Sequence, residues 1–424
     1  MMSFAKKAFL SMAAAAGLLT MNVRGAGFAI LEQSSAGLGR GLSGMGTDTT
    51  NPGALFFNPA VGAWHEKASI AVGNTLMHVN ALMDLREDST SRGHDGGNGG
   101  GWENIPHFYY VQPLGDGLAF GLGMSATSGT ATRWNKRWAG RYSAIDTEIS
   151  VVDVTPTISY KVLDNLSIAL GIDIEYCEAF MSRAVPVPVA GVGDGKIKFE
   201  GDSIALGFTL GALYEPIKGT RIGLGYRSRM THELELKGKM YAAGQRFKGD
   251  ADCDLNLPGV VNFSVHQDLN DQWAVMSDIA WTHSSVMEDM TVRFKKDNLG
   301  NTINAMTGSR KERVDMCWRD SWRFTLGTEY KCTEKLALRT GVAFDETPVK
   351  DKKYRVATLP DLSRVWLCAG FSYRLTENCT LDFGYVHIFF LTDDMETNLK
   401  DGTTLRAKVS GDVDIFSTAL TFTF

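Results

Sequence analysis

No series of long hydrophobic runs appears in this chain of 424 residues. Hydrophobic residues make up 44% and mean hydropathy is -0.11, which excludes a bundle of membrane-spanning helices. No Cys-x-x-Cys pair appears either. Cys177, Cys253, Cys317, Cys332, Cys368 and Cys379 are scattered, a pattern that argues against a zinc site and is read as free structural thiols. Basic clusters with interleaved aromatics are missing and the formal net charge is -5, so nucleic acid is not an expected partner. Nothing points to a metal or a cofactor. An average hydropathy does not exclude a β-barrel, because lipid-facing and lumen-facing residues alternate along each strand and cancel in any window.

One apolar run does occur, at the N-terminus. Lys6 and Lys7 precede Ala8 to Leu19, and small residues follow around Gly25-Ala26-Gly27. A basic region, a short apolar core and a small-residue zone are the parts of an export signal. Residues 1–25 are therefore expected to be a signal peptide, cut near Gly25 or Ala26.

From about Ala68 onward, apolar side chains recur every second residue. Leu166, Ile168, Leu170, Ile172, Ile174 and Tyr176 form one apolar face, against Ser167, Ala169, Gly171, Asp173 and Glu175. Such a strand has oil on one side and water on the other. Leu118 to Met124, Ile222 to Tyr226 and Val365 to Leu375 repeat the pattern.

The connections separate a barrel from a soluble sandwich. Tight turns occur at Leu114–Gly117, Leu163–Asn165, Pro216–Thr220, Asp268–Asp271, Cys332–Glu334 and Thr376–Asn378. Longer polar excursions occur at Asp84–Gly101, Thr130–Ser143, Val185–Lys196, Lys237–Asp252, Lys295–Arg313, Glu346–Leu362 and Thr392–Arg406. Short and long connections alternate, as the two rims of an outer-membrane barrel require. The expected fold is all-β: a transmembrane antiparallel β-barrel of about fourteen strands. Phe416, Leu420, Phe422 and Phe424 share one face of the last strand, which places a terminal aromatic in the interfacial girdle. Trp102, Trp134, Trp138 and Trp281 are read as girdle or loop anchors.

Gly25 to Ala60 follows neither period. It carries Asn51-Pro52 and Asn58-Pro59 and is rich in glycine, so it is read as a compact hatch inside the lumen, with residues 26–66 as the hatch and 67–424 as the barrel. Gly39-Arg40-Gly41-Leu42-Ser43-Gly44 fits G-x-G-x-x-G, but the dinucleotide motif needs a strand before it and a crossover helix after it. Close backbone packing is the preferred reading. His283-Ser284-Ser285 suggests a hydrolase, yet neighbours on a strand face opposite sides and no acid is placed as a third member. The protein is read as a non-enzyme.

These residues also carry a resemblance. Ala26-Gly27-Phe28, Ser34 to Arg40 and Asn58-Pro59-Ala60 resemble the mature N-terminus of FadL-type long-chain fatty acid transporters. The likeness continues through Thr127 to Thr132, Tyr226-Arg227-Ser228, Leu255 to Pro258, Gln272-Trp273-Ala274, Arg339 to Val349, Pro360-Asp361 and Arg364 to Leu367. It implies a Gram-negative outer-membrane protein that takes up long-chain fatty acids or similar hydrophobic compounds by passive diffusion through graded binding sites. The implied ligand residues are Phe28, Arg183 and Asp345; a second basic residue of the family is replaced by Val314, with Arg313 and Lys311 nearby. A hatch or gate at Asn58, Pro59 and Ala60 is expected to pack on a kink at Ser128, Gly129, Thr130 and Ala131, where substrate leaves sideways. The implied partners are hydrophobic small molecules, outer-membrane lipids and lipopolysaccharide, and the barrel assembly machinery through Phe424. Uptake of aromatic or other hydrocarbons, and adhesion through the outer loops, are the alternatives.

Overall fold

The computed structural model describes residues 29–187 and 192–424. The expected signal peptide at 1–25 and the ligand residue Phe28 lie outside the described residues. Among the described residues, nineteen strand segments form one antiparallel sheet. The first six are β1 (Ser69–Leu85), β2 (Trp102–Gly115), β3 (Leu118–Arg133), β4 (Asp146–Leu163), β5 (Leu166–Val185) and β6 (Gly195–Ile217). Next come β7 (Thr220–Arg227), β8 (Met230–Ala242), β9 (Gln245–Leu257), β10 (Val260–Asp268), β11 (Trp273–Thr282), β12 (Asp289–Phe294) and β13 (Lys311–Asp315). The last are β14 (Ser321–Lys331), β15 (Leu336–Asp345), β16 (Arg364–Thr376), β17 (Cys379–Phe390), β18 (Asp393–Asn398) and β19 (Thr404–Thr423).

Five pairs of consecutive segments run in line as single staves. β6, for instance, pairs with β7 at Leu210↔Tyr226 and with β8 at Lys198↔Lys239. Merging β7/β8, β9/β10, β11/β12, β13/β14 and β17/β18 leaves fourteen staves. β1 closes the cylinder on β19, from Ser69↔Thr423 to Leu85↔Ala407. Closure leaves no free first or last stave, so most backbone groups are satisfied within the wall.

The alternation read along β5 is realised. Ile168, Leu170 and Ile172 are 48%, 55% and 54% exposed, whereas Ser167 and Asp173 are fully buried toward the lumen. Two excursions read as loops are not loops. Lys237–Asp252 is the hairpin of β8 and β9, closed by a tight turn at Ala243-Gly244, and much of Thr392–Arg406 extends the wall as β18 and the start of β19. Period two persists through the hairpin, with Glu233, Glu235, Lys237, Lys248 and Asp250 exposed and Leu234, Leu236, Met240 and Ala251 buried. The outward face there carries charges instead of alkyl groups, which is why it read as polar loop. Lys295–Arg313 includes helix α2 (Asn298–Thr307), capped by Asp297.

Within the barrel lies the hatch, built from the single-turn helix α1 (Ser35–Leu38) and short 3-10 turns at Met45–Thr47, Pro52–Phe56 and Pro59–Trp64. The two Asn-Pro steps start the last two turns. Asn51 Oδ1 accepts from Gly53 N at 2.8 Å and Asn58 Oδ1 from Ala60 N at 3.1 Å, each with proline in the next position. That is the preferred chemistry of a helical N-terminus. Gly41 and Gly44 hold left-handed φ of 69° and 70°, and a Cβ on Gly39 would stand 2.9 Å from Cα of Gly370 in the wall. The Gly39–Gly44 string thus serves close packing of hatch on wall. All six cysteines are free thiols.

Candidate ligand cavity and hatch

Among the described residues, two departures of the wall from regular pairing border the interior spaces. In the first, β2 and β3 separate. Their register runs from Gly115↔Leu118 to Phe108↔Met124 and stops. Beyond it, β2 pairs with β1 through Trp102, and β3 pairs with β4 as far as Arg133, with a register shift between Ala126 and Ser128. Thr127 is the extra residue of a bulge, which bends and twists its strand. The expected kink at Ser128, Gly129, Thr130 and Ala131 follows directly after it.

The β3 edge exposed by this separation is met by the start of the hatch. Ala29 bridges Ser128, Ile30 N donates to Thr127 O at 3.0 Å, and Gln33 Nε2 donates to Ala126 O. The expected contact of Asn58-Pro59-Ala60 with the bend is corrected here. Asn58 Nδ2 donates to Gly46 O at 2.7 Å and to Ala212 O of β6 at 2.9 Å, and Ala60 O accepts from Ser167 Oγ of β5 at 2.9 Å. The lumen face of β6 and β7 carries Gly211 and Gly225 there, where a Cβ would collide with Asn58 Oδ1 and Phe57 O. Asn58 therefore seats on a glycine floor of β6 and β7.

The second irregularity spans four neighbouring staves. Arg227, Val260, Thr282 and Ser321 stand on one rung, through Val260↔Arg227, Val260↔Thr282 and Thr282↔Ser321. Immediately beyond each, the stave is interrupted: β7 from β8, β10 from β9, β11 from β12 and β14 from β13. Interrupted walls leave room inside. One cavity of about 720 Å³ is lined by Phe56, Phe57, Tyr226, Met230 and Leu257, together with bend residues Thr127 and Ser128. A second, of about 670 Å³, is lined by Trp318, Pro348, Asp345, Asp361 and Arg364. Both share Ala29, Leu31, Pro258, Val260 and Arg323. A third hollow, about 410 Å³, shares Asp361 and Arg364 with the second and reaches Thr130 and Ala131 of the bend.

The charges around these spaces are specific. Asp345 accepts from Arg364 Nε at 2.7 Å, and Arg364 also stands 3.5 Å from Asp361. Burial pushes the Asp361 carboxyl above its usual range, as it does that of hatch residue Glu32, whose Oε2 accepts from Leu31 N at 2.8 Å. Arg323 is 4% exposed, and its Nε and Nη1 make no hydrogen bond. Beside the first cavity, Arg227 bridges Asp153 at 2.8 Å and Asp173 at 2.6 Å and lies over the Phe56 ring at 4.8 Å. Glu175 joins His232 at 3.1 Å and Thr127 of the bulge at 2.7 Å.

The residues read from sequence do not gather at one point. Asp345 lines the second cavity. Arg183 holds Glu312 through two contacts of 2.6 and 2.8 Å, a carboxylate also reached by Lys400 at 3.1 Å, and lines none of the three spaces. Val314 is exposed on β13, and Arg313 is taken by Asp289 and Asp315. Ser284 shares a hydrogen bond with Ser321, while His283 stacks on Trp281. Arg323 and Arg364 were missed. The signal for Arg323 is its place between Trp322 and Phe324, which are both exposed to the lipid side, so the intervening arginine faces the lumen.

Comparison with known proteins agrees with this architecture. Residues 16–424 match the family described as outer membrane protein transport protein (OMPP1/FadL/TodX). The chain is 26% identical to a long-chain fatty acid transport protein of Escherichia coli O6:H1, over 89% of this chain and 90% of that protein. It is 24% identical to outer membrane protein P1 of Haemophilus influenzae, over 90% of each. The crystal structure of a Pseudomonas aeruginosa FadL homologue superposes with a TM-score of 0.84 at 22% identity, covering 94% of this chain and 99% of that one. The toluene transporter TodX of Pseudomonas putida superposes with a TM-score of 0.69 at 17% identity, covering 93% and 99%. With a closed fourteen-stave barrel, an internal hatch and a family match across nearly its whole length, this chain belongs to the OMPP1/FadL/TodX family of outer-membrane transport proteins.

Proposed function

We propose that this protein takes up long-chain fatty acids or similar hydrophobic compounds by passive diffusion through graded binding sites, with hatch movement and lateral exit between β2 and β3. The observation that carries the reading is the double position of one residue. Ala29 lines both main cavities and also bridges Ser128 at the bend. A ligand that displaces Ala29 from the cavity would release the β3 edge, so occupancy and opening share a single contact. Asp345 and the bend residues serve as ligand and exit positions in this scheme, and Arg183 with Glu312 stands at an outer station. Phe28 would precede Ala29 as a further ligand contact. Phe424, exposed at the end of the chain, is offered to the assembly machinery, and the apolar belt to outer-membrane lipids and lipopolysaccharide.

Radiolabelled oleate uptake by cells with and without the protein, at confirmed surface expression, tests this. Higher uptake with the protein is expected, and equal uptake overturns it. The similarity to a toluene transporter favours a second reading, uptake of neutral hydrocarbons. Competition of toluene against oleate for the purified protein separates the two. Adhesion through the outer loops has no use for a hatch, and removing Ala29 to Ala36 would leave it intact while altering uptake.

A further inference from the structure

A buried guanidinium without hydrogen-bond partners at two of its nitrogens is an uncommon feature, because desolvating a charge is costly unless a partner completes it. Arg323 is such a group. It sits on β14 directly across from Asp345 of β15, yet the Asp345 carboxylate is held by Arg364 at 2.7 Å. The other acids around it are also engaged. Asp278 accepts from Gly44 N, Asn262 Nδ2 and Ser264 Oγ. Glu32 accepts from the Leu31 amide, and Asp361 accepts from Thr347 Oγ1 at 2.6 Å. What is left over is one positive charge with open donors, at the junction of two cavities whose linings it shares. The cavity on one side of it is walled by Phe56, Phe57, Tyr226, Met230 and Leu257.

We infer that Arg323 is the specificity-determining residue that receives the carboxylate head of a long-chain monocarboxylate, with the acyl chain in the adjoining apolar cavity. This rests on the uptake reading above and selects an anionic amphiphile over a neutral hydrocarbon as the substrate class. A guanidinium offers a planar fork of donors that matches a carboxylate. Toluene or an alkane would leave those donors as they are. Because Ala29 and Leu31 of the hatch line the same junction, the head group would arrive against the residues that close the β2–β3 gap.

The test uses purified full-length protein in detergent, with oleate and oleyl alcohol as probes of equal chain length. Wild type, Arg323→Gln and Arg323→Lys are compared, with assembly checked by heat-modifiable electrophoretic mobility. For Arg323→Gln the expected result is a loss of oleate affinity of about tenfold or more, with oleyl alcohol affinity unchanged within about twofold and partial recovery of oleate binding in Arg323→Lys. Unchanged oleate affinity in an assembled Arg323→Gln barrel overturns the assignment while leaving the uptake reading intact. If that variant does not assemble, the wild type decides: oleate preferred over oleyl alcohol by about tenfold supports the assignment, and equal affinity overturns it. Wild type that binds neither probe defeats the uptake reading and this inference with it.

Discussion

Ala29 of the hatch bridges Ser128 of β3, one residue past the bulge at Thr127 and at the point where β3 has left β2. The pairing occupies a strand edge that would otherwise present unpaired backbone toward the gap. It is the contact at which plug and wall can be locked or released.

Directly opposed residues of an antiparallel pair lie within disulfide reach. Ala29→Cys with Ser128→Cys, in a background where the six native cysteines are replaced by serine or alanine, is expected to form a bridge that fixes the hatch. Oleate uptake should fall to the background of cells without the protein and return on reduction. Normal uptake with the bridge formed would show that this contact does not move in transport.

Asn58→Ala removes the cap of the Pro59–Trp64 turn and both donations to Gly46 and Ala212. Loss of a cap and of buried hydrogen bonds costs about 1–3 kcal/mol. The barrel should keep its heat-modifiable mobility while the hatch becomes more open to a protease such as trypsin. Wild-type cleavage kinetics would contradict the anchoring role of Asn58.

Arg227→Met leaves Asp153 and Asp173 buried without their shared cation. Removing one partner from a buried ion group costs about 3–5 kcal/mol. A clear fall in the temperature at which the barrel loses its heat-modifiable form is expected, and the double variant Arg227→Met with Asp153→Asn should recover part of it.

His65, at the end of the hatch, is held neutral by burial, which lowers its pKa from 6.5 to about 4. A released hatch binds this proton below pH 6.5 and the seated hatch does not, so seating is fully favoured above 6.5 and weakens as pH falls toward 4. The difference reaches about 3 kcal/mol. Glu32 acts with the opposite sign, since its raised pKa favours the seated hatch in acid and disfavours it as pH rises above the usual carboxylate value. In a Glu32→Gln background, which removes the opposing group, protease access to the hatch should increase between pH 6.5 and 4, with a shallower slope when His65→Gln is added. An unchanged slope would remove His65 as the cause.

Much of the fold was legible because it rests on a local rule. Period-two alternation in β5 and the aromatic end of β19 follow from each strand having lipid on one side. The same rule misled at Lys237–Asp252, where Glu233, Glu235 and Lys237 still alternate with Leu234 and Leu236, but charge on the outward face looked like loop. The site was less legible. Arg183 read as a ligand group, yet Glu312, 129 positions away, takes its guanidinium. Asn58 was assigned to the bend through resemblance, whereas glycines of β6 and β7 decide where it seats.

By itself, then, the sequence determined the barrel, the hatch and the number of staves, since alternation, turn chemistry and Asn-Pro caps act over a few residues. Tertiary structure alone decided which charges remain without a partner. Arg323 and Arg364 both stand across from Asp345, yet Asp345 bonds Arg364, Arg339 and Arg227 each hold two carboxylates, and two nitrogens of Arg323 are left without a hydrogen bond. Which carboxylate a buried arginine takes depends on strand register and side-chain geometry across the lumen, and no local pattern encodes them.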